Sequence, residues 1–270
     1  MMPVDPSSRA PAGLLARAWG VAATLLSVLY TIILVIPAAA FARFNDGHLV
    51  TPIMRLWCRL IFLTCGITAE IEGLEHLAGL DTFILVSNHK SLLDILAVLR
   101  WIPRETRFLA KREIMKAPVF GYAMARSGNI VIDRQSGGRA VRHAIATMRA
   151  GYCLCVFAEG HRYNDDLVHE FNEGAAWLAL ATRSPCVPMA IIGSGALMPR
   201  GARFVVPGRR IRIVLGAPIG VEGLRGSDRA ELTQRLESAV RELYASASHR
   251  AADASSAPAR EAAQPRRSKI

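Results

Sequence analysis

Between residues 67 and 245 the sequence switches repeatedly between short apolar runs and longer stretches with helical spacing. This alternation limits the possible folds more than any other feature. Residues 67–71 alternate in strand fashion, and 82–86 form a short apolar run of the kind buried on both faces. In 91–101, Leu92, Ile95, Leu96 and Leu99 are spaced for one helical face. Further strands are expected at 107–110, 129–132, 152–157, 187–192, 204–206 and 211–215. Helices are expected at 117–126, 138–150, 173–181 and 227–245, the last capped by Ser227. The expected fold class is α/β, a mixed β-sheet flanked by helices. Ligands of such sheets bind beyond the strand ends, where loops lead into helices. The loops after Val86, Ile132 and Phe157 are therefore the places to seek a site.

The ends of the chain differ from this middle. No charged residue interrupts 18–42, which Arg17 and Arg43 bracket. Roughly 25 residues of helix extend about 37 Å, enough for a bilayer core. Pro37 is expected to kink or end that helix after roughly 19 residues. Arg9 and Arg17 precede the run as in a signal peptide, but the apolar stretch is too long for one. An uncleaved anchor is expected, either spanning the membrane or re-entering it. Residues 53–67 are apolar except for Arg55 and Arg59, which share one helical face. That pattern predicts a second helix at the interface, with its arginines among headgroups. Residues 246–270, rich in Ala, Ser, Pro and Arg, are expected to be a disordered basic tail. Three regions follow: an N-terminal membrane-associated segment (1–66), an α/β domain (67–245) and the tail (246–270).

Composition narrows the function. With 51% hydrophobic residues and a mean hydropathy of +0.25, a mainly disordered chain is excluded. Lys plus Arg outnumber Asp plus Glu by 33 to 22, for a net charge of +11. That points to a polyanion: nucleic acid, a phosphorylated metabolite or an anionic lipid headgroup. Only Lys90, Lys111, Lys116 and Lys269 are lysines, so the charge is almost all guanidinium, which binds phosphate bidentately. Five cysteines with no CxxC pair argue against a zinc site or disulfide framework. Cys153 and Cys155 fall on one face of a strand and read as small buried hydrophobes. Reduced thiols facing the cytosol are expected.

Two loops carry the chemistry. After the run ending at Val86 comes Ser87-Asn88-His89-Lys90-Ser91-Leu92-Leu93-Asp94. On a regular helix His89 and Asp94 would diverge by roughly 140°. They meet only if His89 sits on the loop and Asp94 in the first helical turn, which Ser91 as N-cap and Asp94 at N3 would produce. After Phe157 comes Ala158-Glu159-Gly160-His161-Arg162, where Gly160 permits a tight turn. Glu159 and Arg162 there suit a hydroxyl and a phosphate. His161, His169, Asp165 and Asp166 match no common metal spacing, and no metal site is expected.

Four ordered blocks resemble the glycerolipid acyltransferases, the family that contains the 1-acylglycerol-3-phosphate acyltransferases. Asn88 to Asp94 resembles the family's Asn-His-x-Ser-x-x-Asp motif. The second block runs from Ala110-Lys111-Arg112-Glu113 to Gly128-Asn129-Ile130-Val131-Ile132-Asp133-Arg134. Phe157 to Arg162 resembles the third, usually Phe-Pro-Glu-Gly-Thr-Arg, with Ala158 and His161 as departures. Val187-Pro188-Met189-Ala190-Ile191 resembles the fourth. Phe171-Asn172-Glu173-Gly174 lacks the lysine of a related Phe-Lys-x-Gly segment. With the lead-in Gly73-Leu74-Glu75-His76-Leu77, the resemblance covers roughly residues 67 to 220.

The resemblance implies that His89 is the general base, oriented by Asp94, and that a lysolipid hydroxyl attacks a fatty acyl thioester. Backbone N–H groups at the helix start would steady the oxyanion. Lys111, Arg134 and Arg162 are then the candidates for the acceptor phosphate, with Glu159 positioning glycerol hydroxyls on the turn made by Gly160. No metal or cofactor is implied, only acyl-CoA or acyl-carrier protein as co-substrate. The product would be phosphatidic acid, in phospholipid biosynthesis. The implied partners are membrane lipids, lysophosphatidic acid and the thioester donor, at a membrane with the catalytic domain facing the cytoplasm. Two alternatives stay open: the same transfer onto another lysolipid (a lysophospholipid or an amino-acid-headgroup lipid), and a noncatalytic membrane lipid-binding protein. A Ser-His-Asp lipase is disfavoured because there is no G-x-S-x-G elbow. A nucleic-acid binder is disfavoured because no recognition motif is present.

Overall fold

A computed structural model of the protein describes residues 13–41, 50–111, 128–132 and 137–256. Among these, seven strands form one sheet, and their formation follows from where their apolar residues go. In β2 (Ile84–Ser87) every residue is buried, as a continuous apolar run demands of a strand covered on both faces. It lies at the centre of the order β1-β7-β6-β2-β5-β3-β4. The others are β1 (Thr68–Glu72), β3 (Thr106–Lys111), β4 (Ile130–Ile132), β5 (Cys153–Phe157), β6 (Cys186–Ile192) and β7 (Arg210–Leu215). Strands β2, β5, β6, β3 and β4 run parallel, β7 opposes β6, and β1 runs beside β7. The sheet is mixed, as expected.

Side-chain alternation divides the core into two layers. On one face Leu85, Cys153, Cys155 and Val187 pack with Cys58, Ile61, Phe62, Leu93 and Val98 of helices α2 (Val50–Thr64) and α3 (Leu93–Trp101). On the other, Ile84, Val86, Leu154 and Val156 pack against α4 (Gly137–Arg149), α5 (Gly174–Thr182) and α7 (Arg229–Ser256). A one-turn helix α6 (Ser194–Leu197) follows β6. All five cysteines are buried and free. Burial pushes the Cys186 thiol up to about 12, which makes it inert at neutral pH.

The N-terminal helix α1 (Leu14–Phe41) runs through Pro37 instead of ending there. A proline removes only one intrahelical donor, and an apolar helix absorbs that loss. Helix α1 pairs with α2 through Trp19 Nε1 donating to the Thr64 carbonyl at 2.9 Å and Trp57 Nε1 donating to Thr31 Oγ1 at 3.0 Å. The expectation that Arg55 lies among headgroups is corrected. Its Nη2 donates to the Ile102 carbonyl at 3.3 Å, satisfying a group at the end of α3. Leu56, Arg59 and Leu63 of α2 remain exposed.

Three further expectations change. Residues 204–206 form a loop, because Val205 donates its N–H to Thr24 Oγ1 of α1 and Val206 to the Leu197 carbonyl, leaving no strand neighbour. Helix α7 begins at Arg229, and Ser227 lies inside the 3-10 turn Gly226–Asp228 that precedes it, where Asp228 Oδ2 accepts the Arg225 N–H at 2.7 Å. That helix also continues past residue 245 to Ser256. Ala247 is buried, and its carbonyl accepts Arg212 Nη1 at 3.0 Å, so the first part of the expected tail is ordered helix. The helix expected at 117–126 and the chain after 256 lie outside the described residues.

Candidate active site

The site forms where β2 and β5 end side by side, with Ser87 paired to Phe157 in register. His89 sits two residues past the end of β2, and Glu159 two residues past the end of β5. The Ala158 N–H donates to the Ser87 carbonyl at 3.0 Å, extending the ladder beyond the last strand pair. The proline usual at this position in the third block would have no N–H for that bond. The departure thus tightens the junction between the two loops.

Asp94 reaches His89 as the sequence predicts. Helix α3 starts at Leu93 with Leu92, not Ser91, at its N-cap, yet the expected turn forms: Ser91 Oγ accepts the Leu93 N–H at 3.2 Å, and Asp94 Oδ2 accepts the Ser91 N–H at 2.8 Å. The same oxygen accepts the Lys90 N–H at 2.8 Å and lies 2.9 Å from His89 Nδ1. Asp94 is fully buried, whereas the His89 side chain is 14% exposed. An Nδ1–H tautomer donating to Asp94 leaves Nε2 with its lone pair free to take a proton. The imidazole plane is set by Phe157, whose ring stacks on it at 4.1 Å and 14°. Phe108 lies parallel behind Phe157 at 6.2 Å. Asn88 does not face this chemistry. It exchanges two bonds of 2.9 Å with the Ile191 main chain and locks the loop to β6.

Glu159 lies between the His89 loop and its own loop. Its side chain is fully buried. Oε2 accepts the His89 N–H at 3.2 Å and Oε1 the His169 N–H at 3.1 Å, so the carboxylate joins the backbone of the two loops. Burial pushes its pKa up, opposed by Lys90 and by the two N–H bonds. Lys90 Nζ lies 3.6 Å from Glu159 Oε1 and 3.3 Å from Asp165 Oδ1, and it also donates to the Leu167 carbonyl. Lys90 was missed by the sequence reading, although a lysine directly after His89 in a chain with only four is an available signal. Gly160 makes the turn: its φ is +69°, and a Cβ there would meet Asn172 Nδ2 at 2.9 Å. Arg162 follows, half-buried. Lys111 ends β3, but its side chain and all of Arg134 lie outside the described residues. His169 Nε2 pairs with Asp165 at 2.8 Å and stacks on Tyr163, bracing the loop that covers Lys90.

This arrangement provides an oriented imidazole, a rigid loop pair and cations nearby, which suffices for removing a proton from a hydroxyl. Comparison with known proteins agrees with the geometry. Residues 68–192 match the family model described as Acyltransferase, a segment that holds both loops. A chloroplastic 1-acyl-sn-glycerol-3-phosphate acyltransferase, BAT2 of Brassica napus, is 31% identical over 171 residues, covering 62% of this chain. The chain spans about half of that relative, 49% of its length. A Pseudomonas aeruginosa 1-acyl-sn-glycerol-3-phosphate acyltransferase is 29% identical over 78% of this chain and 88% of its own. The fold matches the crystal structure of the Thermotoga maritima enzyme PlsC, with a TM-score of 0.73, 23% identity, and coverage of 86% of this chain and 98% of that one. The matched segment, which holds the blocks around His89 and Glu159, is thus similar to the Acyltransferase family in sequence, and the chain is similar to PlsC in fold.

Proposed function

We propose that the protein transfers a fatty acyl group from a thioester to the free hydroxyl of 1-acylglycerol-3-phosphate, forming phosphatidic acid. The observation that carries this reading is the His89–Asp94 bond, made by a fully buried carboxylate at the strand ends. His89 Nε2 takes the hydroxyl proton as the oxygen attacks the thioester carbonyl. Collapse of the tetrahedral intermediate breaks the carbon–sulfur bond, and the imidazolium returns its proton to the departing thiolate. Asp94 stabilises the imidazolium between these steps without taking its proton. The thioester is already activated, so the proposed step calls on no metal or prosthetic group. The names of the relatives support lysophosphatidic acid as acceptor. Arg162 supplies charge for its phosphate, with Lys111 and Arg134 as the other candidates. Acyl-CoA and acyl-carrier protein both fit as donors.

The enzyme works at a membrane. Helix α1 is long and apolar enough to cross one, over Leu14–Leu34, and only 11% of that window is buried within the protein. The catalytic domain faces the cytoplasm, a placement supported by five buried thiols, none of them paired.

The test is turnover of the purified full chain with acyl-CoA and a panel of lysolipids, read as released thiol. The buried cysteines contribute little background. Lysophosphatidic acid is the expected best acceptor. Preference for another lysolipid would transfer the mechanism to that acceptor, and the absence of thiol release with every acceptor and both donors would overturn the reading.

A further inference from the structure

Arg162 and Arg200 are 38 residues apart in the chain and are brought together by a main-chain clamp. Asn164 Nδ2 donates to the Arg200 carbonyl at 3.2 Å, and Asn164 Oδ1 accepts the Arg200 N–H at 2.8 Å. The clamp grips backbone, so it persists whatever side chain stands at position 200. From this anchor Arg200 Nη1 reaches the Arg162 carbonyl at 3.5 Å. The same loop is tied to the catalytic side by Ser91 Oγ, which donates to the Met198 carbonyl at 2.8 Å. Arg200 is thereby fixed to both site loops, the one after β2 and the one after β5.

The Arg200 guanidinium is held against the Arg162 main chain, close enough for its charge to act on the Arg162 side chain. Burial lowers the proton affinity of Arg162, and the Arg200 charge lowers it further, while Asp94 acts in the opposite sense. Among the described residues no carboxylate forms an ion pair with either arginine. Two guanidiniums on loops clamped together through the backbone, neither of them in an ion pair among the described residues, suit an anion carrying more than one charge. A phosphate monoester carries roughly 1.5 to 2 negative charges at neutral pH. A phosphodiester headgroup contributes only one at its phosphate.

We propose that Arg200 is a specificity-determining residue which, together with Arg162, receives the terminal phosphate of the acceptor and selects phosphomonoester over phosphodiester lysolipids. This rests on the acyl-transfer reading of the site and names a residue that none of the four sequence blocks contains.

The test is Arg200→Gln in the full chain, with Arg200→Lys beside it. Three acceptors are varied at saturating acyl-CoA: a monoacylglycerol phosphate, a phosphodiester lysolipid and a monoacylglycerol without phosphate. Arg200→Gln should raise KM for the phosphomonoester about tenfold or more, the scale of one charge-assisted hydrogen bond, with kcat within about threefold of wild type. KM for the other two should stay unchanged, and Arg200→Lys should restore most of the loss. A merely structural role would lower kcat for all three acceptors alike; that result, or an unchanged KM for the phosphomonoester, overturns the proposal. Binding of the same acceptors without a thioester separates it from the reading beneath it. A tenfold weaker Kd in Arg200→Gln, in a protein that transfers no acyl group, would keep the phosphate site and remove the acyltransferase reading. Normal turnover with unaltered KM and Kd would do the reverse.

Discussion

Lys90 and Glu159 show how much of this site depends on single buried groups. Their side chains are 3% and 0% exposed, so each charge relies on close partners: Lys90 on Glu159 and Asp165, Glu159 on Lys90 and two N–H groups. Removing one partner of such a pair typically costs about 3–5 kcal/mol, because the remaining charge is left without compensation. Lys90→Met should therefore destabilise the protein by about that amount in urea unfolding. Adding Glu159→Gln should recover part of the loss, since the amide still accepts one of the two N–H groups, and simple additivity of the two changes would contradict the pairing. These roles could not be read from the sequence, since burial at Glu159 arises only when β5 lies beside β2, 70 residues away in the chain. The His89–Asp94 contact was legible because it is local. Ser91 and Asp94 bond across the turn that enters one helix, and that turn places the carboxylate beside the imidazole.

At the scale of elements, the loop from Tyr163 to His169 closes over Lys90 through Asp165. Burial alone would raise the Asp165 pKa, but bonds from His169, the Leu167 N–H and Lys90 outweigh it and hold the group below its ordinary 3.8. A carboxylate depressed on folding adds stability that is complete above the unfolded value and lost as pH falls through the folded one. Protection of the Leu167 amide against hydrogen exchange should thus be constant above about pH 4 and decline below it. Asp165→Asn should flatten that decline; a persistent decline in this variant would assign it to another group. Most strands were legible from their apolar runs. The segment 204–206 misled because Val205 and Val206 have strand character, yet it packs beneath α1, where Thr24 takes the Val205 N–H. The end of α7 was hidden for the opposite reason. Small residues such as Ala247 produce little apolar periodicity even when one of them is buried.

For the whole molecule, the hairpin of α1 and α2 joins the α/β domain to its surroundings. Leu25, Leu29, Ile32 and Ile36 of α1 are exposed, an apolar surface that favours lipid over water. Leu25→Glu with Ile32→Glu should release the protein from vesicles in flotation, while the urea midpoint moves little because neither side chain is buried. Continued flotation of the double variant would place the membrane contact elsewhere. The sequence located this surface in its uncharged run, but not the bonds from Trp19 and Trp57 that fasten the two helices together. The charge of +11 also acquires places: Arg212 and Arg250 pair with acids at the sheet edge, Arg107 lies over Tyr152, and Arg162 stands beside Arg200 near the site.

The central claim is that His89, held by Asp94, activates the acceptor hydroxyl. Its most direct test is thiol release by His89→Ala, supplied with acyl-CoA and lysophosphatidic acid, beside wild type. Loss of the base predicts a fall in kcat of about 10²–10⁴, with circular dichroism and vesicle binding unchanged. Turnover within a few-fold of wild type would contradict the account.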